Sequence, residues 1–228
     1  ILRRADPDDK NRDGISGRPN RVQGRLGRFG WKAQLSSIED LVTAHGRDEL
    51  GITSAAFPAE VPPQGLVPTC DPAPDPEDDA ASIAAKADFL RLLAPLAVAK
   101  PARIERKGKS AFRKARCHLC HVEKLRTGPN SITALHSKPV PLYSDLLLHD
   151  MGDALADGVA QEEATGREFR TPPLWGVGRS APYLHDGRAA TLEEAILAHD
   201  GEAAASVRRY LALTGSDREA LAAFLKSL

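Results

Sequence analysis

What the chain lacks excludes several classes at once. Its 31 basic and 31 acidic residues leave no net charge, so there is no cation excess to grip nucleic acid or an anionic membrane, which both need a concentrated basic face. No apolar run approaches the roughly 18 residues of a membrane span, and the most apolar one, Leu92 to Ala99, is broken by Pro95. Three cysteines are too few for a disulfide scaffold. Aromatic and β-branched residues seldom alternate, so strand signals are weak and the fold reads as mainly α. An initiator methionine is missing too. The opening at Ile1 reads as a processed or truncated end, which makes the absence of a leader uninformative about compartment.

What is present falls into three compositional regions, enough chain for one or two compact domains. Residues 1–57 open with a polar Asp/Asn/Gly stretch and lead into an amphipathic helix near 37–45. Residues 58–79 carry Pro58, Pro62, Pro63, Pro68, Pro72, Pro74 and Pro76 and read as a loop or linker, because repeated prolines remove backbone donors and block helices. Residues 80–228 alternate long irregular segments with helical patterns; helices are expected at 79–94, 108–117, 191–199, 203–212 and 216–227. In the last of these, Ser216 and Glu219 are spaced as a capping box, and Leu221, Phe224, Leu225 and Leu228 follow the i, i+3, i+4, i+7 stripe of a core helix. Cys70 stands apart in the proline-rich loop, either as a free thiol or as the partner of a segment outside this chain.

The other two cysteines carry the chemistry. Residues 117–121 read Cys-His-Leu-Cys-His, the haem c attachment signature. Each sulfur of such a pair reaches one vinyl group of the porphyrin edge as a thioether, and the adjacent His121 imidazole is presented to the iron. A structural zinc site would need a second paired half-site, and Cys70 is the sole remaining thiol. A thioredoxin-like pair belongs at the start of a helix after a strand, whereas this motif closes the helical stretch Lys109–Arg116. Haem is therefore the preferred reading, with no role for His118.

A redox haem usually takes a sixth ligand from His or Met. Met151, His136, His149, His185 and His199 follow the motif. Thr191 and Glu194 are spaced as a capping box, and on the helix they open, Leu192, Ala195, Ile196 and His199 share one stripe. An unpartnered ring on a buried stripe is costly; iron ligation satisfies it, as would a bond to a carbonyl. His199 is preferred, and Met151 is the alternative.

Longer stretches carry a resemblance. Phe169-Arg-Thr-Pro-Pro-Leu-Trp175, Ala181-Pro-Tyr-Leu-His-Asp-Gly187 and Thr191-Leu-Glu-Glu-Ala195 resemble the C-terminal haem domain of bacterial dihaem cytochrome c peroxidases. Asp13–Asn20, Gly27–Ala33, Gly51–Ser54 and Tyr143–Gly152 resemble a cousin, the dihaem oxidoreductase family of peroxidases or thiol oxidoreductases. The likeness covers nearly the whole chain. It implies a cytochrome c-like haem domain with long irregular loops over residues 80–228, and part of a second related domain over residues 1–57. It implies two haems, although this sequence holds one Cys-x-x-Cys-His motif; the chain is then the later part of a longer protein, with the second haem c in an upstream or partner segment. Where the peroxidases usually place Met, this sequence has His199, which implies a bis-histidine haem suited to electron transfer.

The step from His185 to His199 is repeated from Trp31 to His45, fourteen residues in each case. His45 is thus a candidate ligand or distal acid/base for the first haem. By the resemblance, Trp31 is the tryptophan that passes electrons between haems, Trp175 and His185 line the haem, and Arg170 and Arg188 pair with its propionates. Asp9, Asn11 and Asp13 with Gly14 match the opening of a calcium loop, but Asn20 stands where the bidentate Glu would be; an ordinary polar turn is the alternative. Two functions fit: a peroxide-reducing or related oxidase acting on a small-molecule oxidant, or an electron-transfer module that relays charge to a redox partner protein. Thioether attachment of haem implies assembly outside the cytoplasm, hence a periplasmic or exported setting.

Overall fold

The computed structural model describes residues 1–62, 66, 71–94 and 102–228. Cys70, Pro63, Pro68 and most of the Leu92–Ala99 run lie outside the described residues. Among the described residues, six α-helices of six to thirteen residues are joined by long irregular segments, and three antiparallel pairs supply all of the named strand.

Local chemistry sets each helix start. Ser37 caps α1 (Ile38–Leu50) in a full capping box with Asp40, and Asp79 caps α2 (Ala80–Leu92) by accepting the Ser82 N–H at 2.7 Å. α3 runs from Arg103 to Lys114, earlier than expected, because Arg116 adopts a left-handed φ of 63° and turns the chain out of the helix before Cys117. Thr191 and Glu194 form the expected capping box of α4 (Leu192–Leu197), which ends two residues short of His199. α5 spans Ala204–Leu211. α6 spans Gly215–Lys226, and the expected Ser216/Glu219 box does not form. Thr214 caps it instead, accepting the Asp217 N–H, while Ser216 Oγ accepts a hydrogen bond from Lys107 Nζ at 2.7 Å.

The core sits where α3 crosses α6. A Cβ at Gly108 would lie 1.9 Å from the Ala220 carbonyl oxygen, so the two backbones touch where glycine leaves room. Phe112, Tyr143 and Phe224 pack edge-to-face with ring centroids 5.6 to 6.2 Å apart. Leu192, Tyr210, Leu221 and Leu225 complete the cluster, with Leu228 partly buried beside it, so the predicted α6 stripe is the core stripe.

The strand pairs are β1 (Arg21–Val22) with β2 (Arg25–Leu26), β3 (Leu125–Arg126) with β4 (Pro139–Val140), and β5 (Leu148–Asp150) with β6 (Glu168–Arg170). Residues 16–36 lie against the last pair. Arg18 bridges to Leu148, its guanidinium meets the Glu168 carboxylate at 2.6 Å, and the Arg170 N–H donates to the Trp31 carbonyl at 2.7 Å. Lys32 is fully buried there, its Nζ shared among the Thr165 and Glu168 carbonyls and Asp157 at 2.9 to 3.1 Å. α1 packs on α2, but the stripe of Ile38, Leu41 and Val42 is only half-buried and Ala44 is the fully buried residue of that helix. No helix of the described residues is long and apolar enough to cross a membrane.

Candidate functional site

The left-handed turn at Arg116 delivers the chain into a single 3-10 turn, Cys117–Leu119, closed by the His121 N–H on the Cys117 carbonyl at 3.0 Å. Cys117, Cys120 and His121 therefore face one wall of a cavity of about 490 Å³, with His199 lining the same cavity from just beyond the end of α4. That volume falls in the range of cofactor pockets.

The two histidines are held alike. His121 Nδ1 donates to the Tyr143 carbonyl at 3.0 Å, and His199 Nδ1 donates to the Ala195 carbonyl at 2.7 Å. A carbonyl can only accept, so each neutral ring carries its proton on Nδ1 and keeps a lone pair on Nε2. Burial pulls the His121 ring down to about 4, with the nearby His199 ring acting in the same direction; burial also lowers His199. Both rings are neutral at pH 7, the state that ligates a metal, and a second hydrogen bond from Nδ1 to a backbone carbonyl is what orients metal-bound histidines. Burial pushes the Cys117 thiol up to about 12 and raises Cys120 also, where His149 opposes it.

Around these groups the wall is mainly apolar, with Phe112, Phe169, Ile196, Leu221 and Leu225. Arg116, His149 and Arg170 are the basic groups in it besides His121, His185 and His199, and Arg170 is the one with a buried guanidinium. Its guanidinium donates to the Gly30 and Thr171 carbonyls at 2.8 and 3.4 Å, and no carboxylate among the described residues pairs with it. Burial lowers it to about 10, so it is a cation at the cavity wall in need of an anion. The donor set fits a haem: two free imidazole nitrogens, two thiols, an apolar enclosure and an unpaired cation for a propionate.

Trp31 stands at the cavity rim, 46% exposed, edge-on to His185 with centroids 6.4 Å apart, and His185 stacks on Phe169 at 4.3 Å. Trp175 lines the wall, fixed by its Nε1 on the Pro141 carbonyl at 2.7 Å; Met151 lines it too. Arg188 is not brought to the cavity and lies exposed on Asp186 and the Ala154 carbonyl. Nor is His45, which is half-exposed on α1 and paired with Glu49 at 2.8 Å, so the echo of the His185–His199 step is one of spacing and not of burial. Asn11 and Asp13 accept the N–H groups two residues on, those of Asp13 and Ile15, as in Asx turns, while Asp9 accepts from the N–H groups of Asp13 and Gly14 four and five residues ahead. His118 is exposed, and His136 pairs with Asn130. One residue was undervalued in the sequence. His149, counted in the sequence only among the candidate ligands that follow the motif, lies on β5, fully buried between Asp145 and Glu202 at the cavity wall; an acid four residues before it was the available signal.

Compared with known families, the chain matches "Di-haem oxidoreductase, putative peroxidase" over residues 1–228. The chain belongs to the di-haem oxidoreductase family. It is similar to the cytochrome-c peroxidase IdrP2 of Denitromonas iodatirespirans, 34% identical over 71 residues, which are 31% of this chain and 19% of that protein. The match thus spans about a fifth of that relative's length. Among solved structures it is similar to a MauG-like protein associated with microbial copper homeostasis, with a TM-score of 0.50 and 23% identity over 94% of this chain and 73% of the other. Hydrazine synthase of Kuenenia stuttgartiensis aligns at a TM-score of 0.48 and 21% identity, over 65% of this chain and 55% of that one. The di-haem oxidoreductase family makes haem the cofactor class expected of this site and oxidation–reduction its reaction class.

Proposed function

We propose that this chain carries one haem c, tethered through Cys117 and Cys120 and held by His121 and His199, and that it serves as the electron-transfer centre of a di-haem, peroxidase-like oxidoreductase. The observation that supports this reading is the matched pair of part-buried imidazoles lining one cavity, each with Nδ1 on a backbone carbonyl, which leaves Nε2 as the nitrogen with the free lone pair. When bound, the haem supplies one-electron redox chemistry. The chain's own residues do the rest. His121 and His199 would both hold the haem through their unprotonated nitrogens, which would leave reaction with peroxide to a second haem on an upstream or partner segment. Arg170 anchors a propionate. The apolar wall excludes water, which favours the uncharged ring nitrogens. Trp31, with His185 and Phe169 behind it, provides an aromatic route from the cavity rim toward the second centre.

In this reading residues 80–228 form a cytochrome c-like domain, and covalent attachment places assembly in the periplasm or another exported setting. Met151 also lines the cavity, but a neutral imidazole with its second nitrogen already oriented is the better-prepared ligand. A pyridine haemochrome assay with an intact mass is the test. One covalently bound haem per chain is expected; a mass equal to the bare polypeptide from material matured with haem overturns the reading. Peroxide added to the intact di-haem protein separates an oxidase, whose spectrum responds, from a pure relay, in which both centres stay inert.

A further inference from the structure

A buried polar network beside the haem ligands is not accounted for by ligation. His149 is 3% exposed. Its Nε2 lies 3.0 Å from Asp145 Oδ2 and its Nδ1 2.8 Å from Glu202 Oε2. Ionised carboxylates only accept, so both ring nitrogens carry hydrogen and the ring is an imidazolium. Burial works against that charge, yet the Asp145 and Glu202 carboxylates outweigh it and raise the ring well above its ordinary value. Cys120 Sγ stands 3.7 Å from the same Nδ1. Glu202 in turn accepts from Ser16 Oγ at 2.7 Å, Ser16 N at 3.0 Å and Asp150 N at 3.2 Å.

This network joins the two segments that carry the axial ligands. Cys120 adjoins His121, and Glu202 follows His199 by three residues. His199 lies beyond the end of α4, so helical hydrogen bonding alone does not hold its segment in place. The segment is instead pressed against the end of β5 and the two residues that follow it. A Cβ at Gly201 would lie 2.3 Å from the Asp150 carbonyl oxygen, and one at Gly152 would lie 2.6 Å from Asp200 Oδ2. At this contact only glycine permits the approach.

We propose that His149 is a positioning residue of the haem centre: its ring clasps the Cys120–His121 loop to the Glu202 segment and so fixes the separation of His121 and His199. The proposal rests on the axial-ligand reading above. Without the ring, Asp145 and Glu202 face each other as buried like charges, and the 199–202 segment is driven outward. Ser16 extends the clasp to the N-terminal segment, so displacement of residues 16–36 is felt at His199.

The test uses the whole chain matured with haem, in the variants His149→Phe, Glu202→Gln and Ser16→Ala. Covalent haem per chain, read by intact mass, is expected to be unchanged. Electron paramagnetic resonance and optical spectra are expected to show loss of the low-spin two-histidine signal. Glu202→Gln moves the ratio of His199-bound to unbound haem by about tenfold, as losing one charged hydrogen bond implies; His149→Phe moves it further, and Ser16→Ala less in the same direction. Fully low-spin spectra in both His149→Phe and Glu202→Gln overturn the clasp while leaving the ligand assignment intact. A wild-type chain without a two-histidine signal overturns the ligand assignment, and the clasp with it. Should His149→Phe not fold, the two milder variants decide by the same ratio.

Discussion

In the proposed haem centre, the free nitrogen of His199 decides whether the haem would be closed to exogenous ligands. His199→Ala removes it and leaves an apolar space beside the α4 terminus. The variant is expected to keep its covalent haem, since both thiols and His121 are untouched, but to become high-spin and to bind carbon monoxide or cyanide, which the parent does not. An optical titration with either ligand checks this; a variant that stays low-spin would assign the sixth position to Met151. His149 makes a different claim, about pH. A ring whose folded value is raised contributes stability that is fully present below about 6.5 and is lost as the pH climbs through the folded value. The stability gap between the parent chain and His149→Gln is therefore expected to be largest near pH 6 and to shrink in the alkaline range. Denaturant midpoints of the two chains at matched pH measure it; a constant gap refutes a charged ring. These residues were unequally legible. Cys117, Cys120, His121 and His199 announce themselves by spacing, which is local. The Gly30 partner of Arg170 and the Glu202 partner of His149 lie far away in sequence, where spacing carries no signal; only Asp145, four residues before His149, was within local reach.

Helices were legible wherever a polar cap and an apolar stripe coincided, as at Thr191 and at Leu221–Leu228. They were misplaced where two capping residues competed. Thr214 and Ser216 both have the right side chain, and the earlier one wins because it caps two more residues of α6. α3 was shifted for another reason: its N-terminal half is almost all charged, so the pattern showed only the part that meets α6. The crossing of those helices is where the element-scale forecast belongs. Gly108→Ala forces a methyl against the Ala220 carbonyl at 1.9 Å, and overpacking of this kind costs about 1–3 kcal/mol. Phe224→Ala empties the centre of the aromatic cluster and is expected to cost about 3–5 kcal/mol. Thermal or urea unfolding of both variants tests the ranking, and an unchanged midpoint for Gly108→Ala would mean the helices are free to slide apart. Because α3 leads through Arg116 into the Cys117–His121 turn, loosening the crossing is also expected to broaden the spectrum of haem bound there.

At the scale of the whole chain, residues 16–36, read from composition as part of another module, lie on the β5–β6 pair through Arg18, Lys32 and the Trp31 carbonyl, and on the loop between those strands through Asn20. Hydrophobic patterning does not reveal such an attachment, since it is made by buried polar groups. Lys32 is the sharpest case. Its ammonium is 2% exposed, bonded to two carbonyls and paired with Asp157, and it lies over the Phe169 ring at 4.0 Å. Lys32→Ala strands Asp157 and both carbonyls and leaves a void, which places the cost at about 3–5 kcal/mol. Lys32→Met fills the volume but still strands the carbonyls, and is expected to cost less. If residues 16–36 fold as one body with residues 80–228, far-UV circular dichroism and Trp31 fluorescence report a single coincident transition. Both are read in a haem-free Trp175→Phe parent chain, so that Trp31 is the sole emitter. In Lys32→Ala the fluorescence transition is expected to move ahead of the other, because Trp31 sits beside the lost anchor and its neighbours His185 and Phe169 belong to the haem wall. Two separate transitions already in the parent would make the N-terminal segment an independent unit and remove the physical link through which it could influence His199.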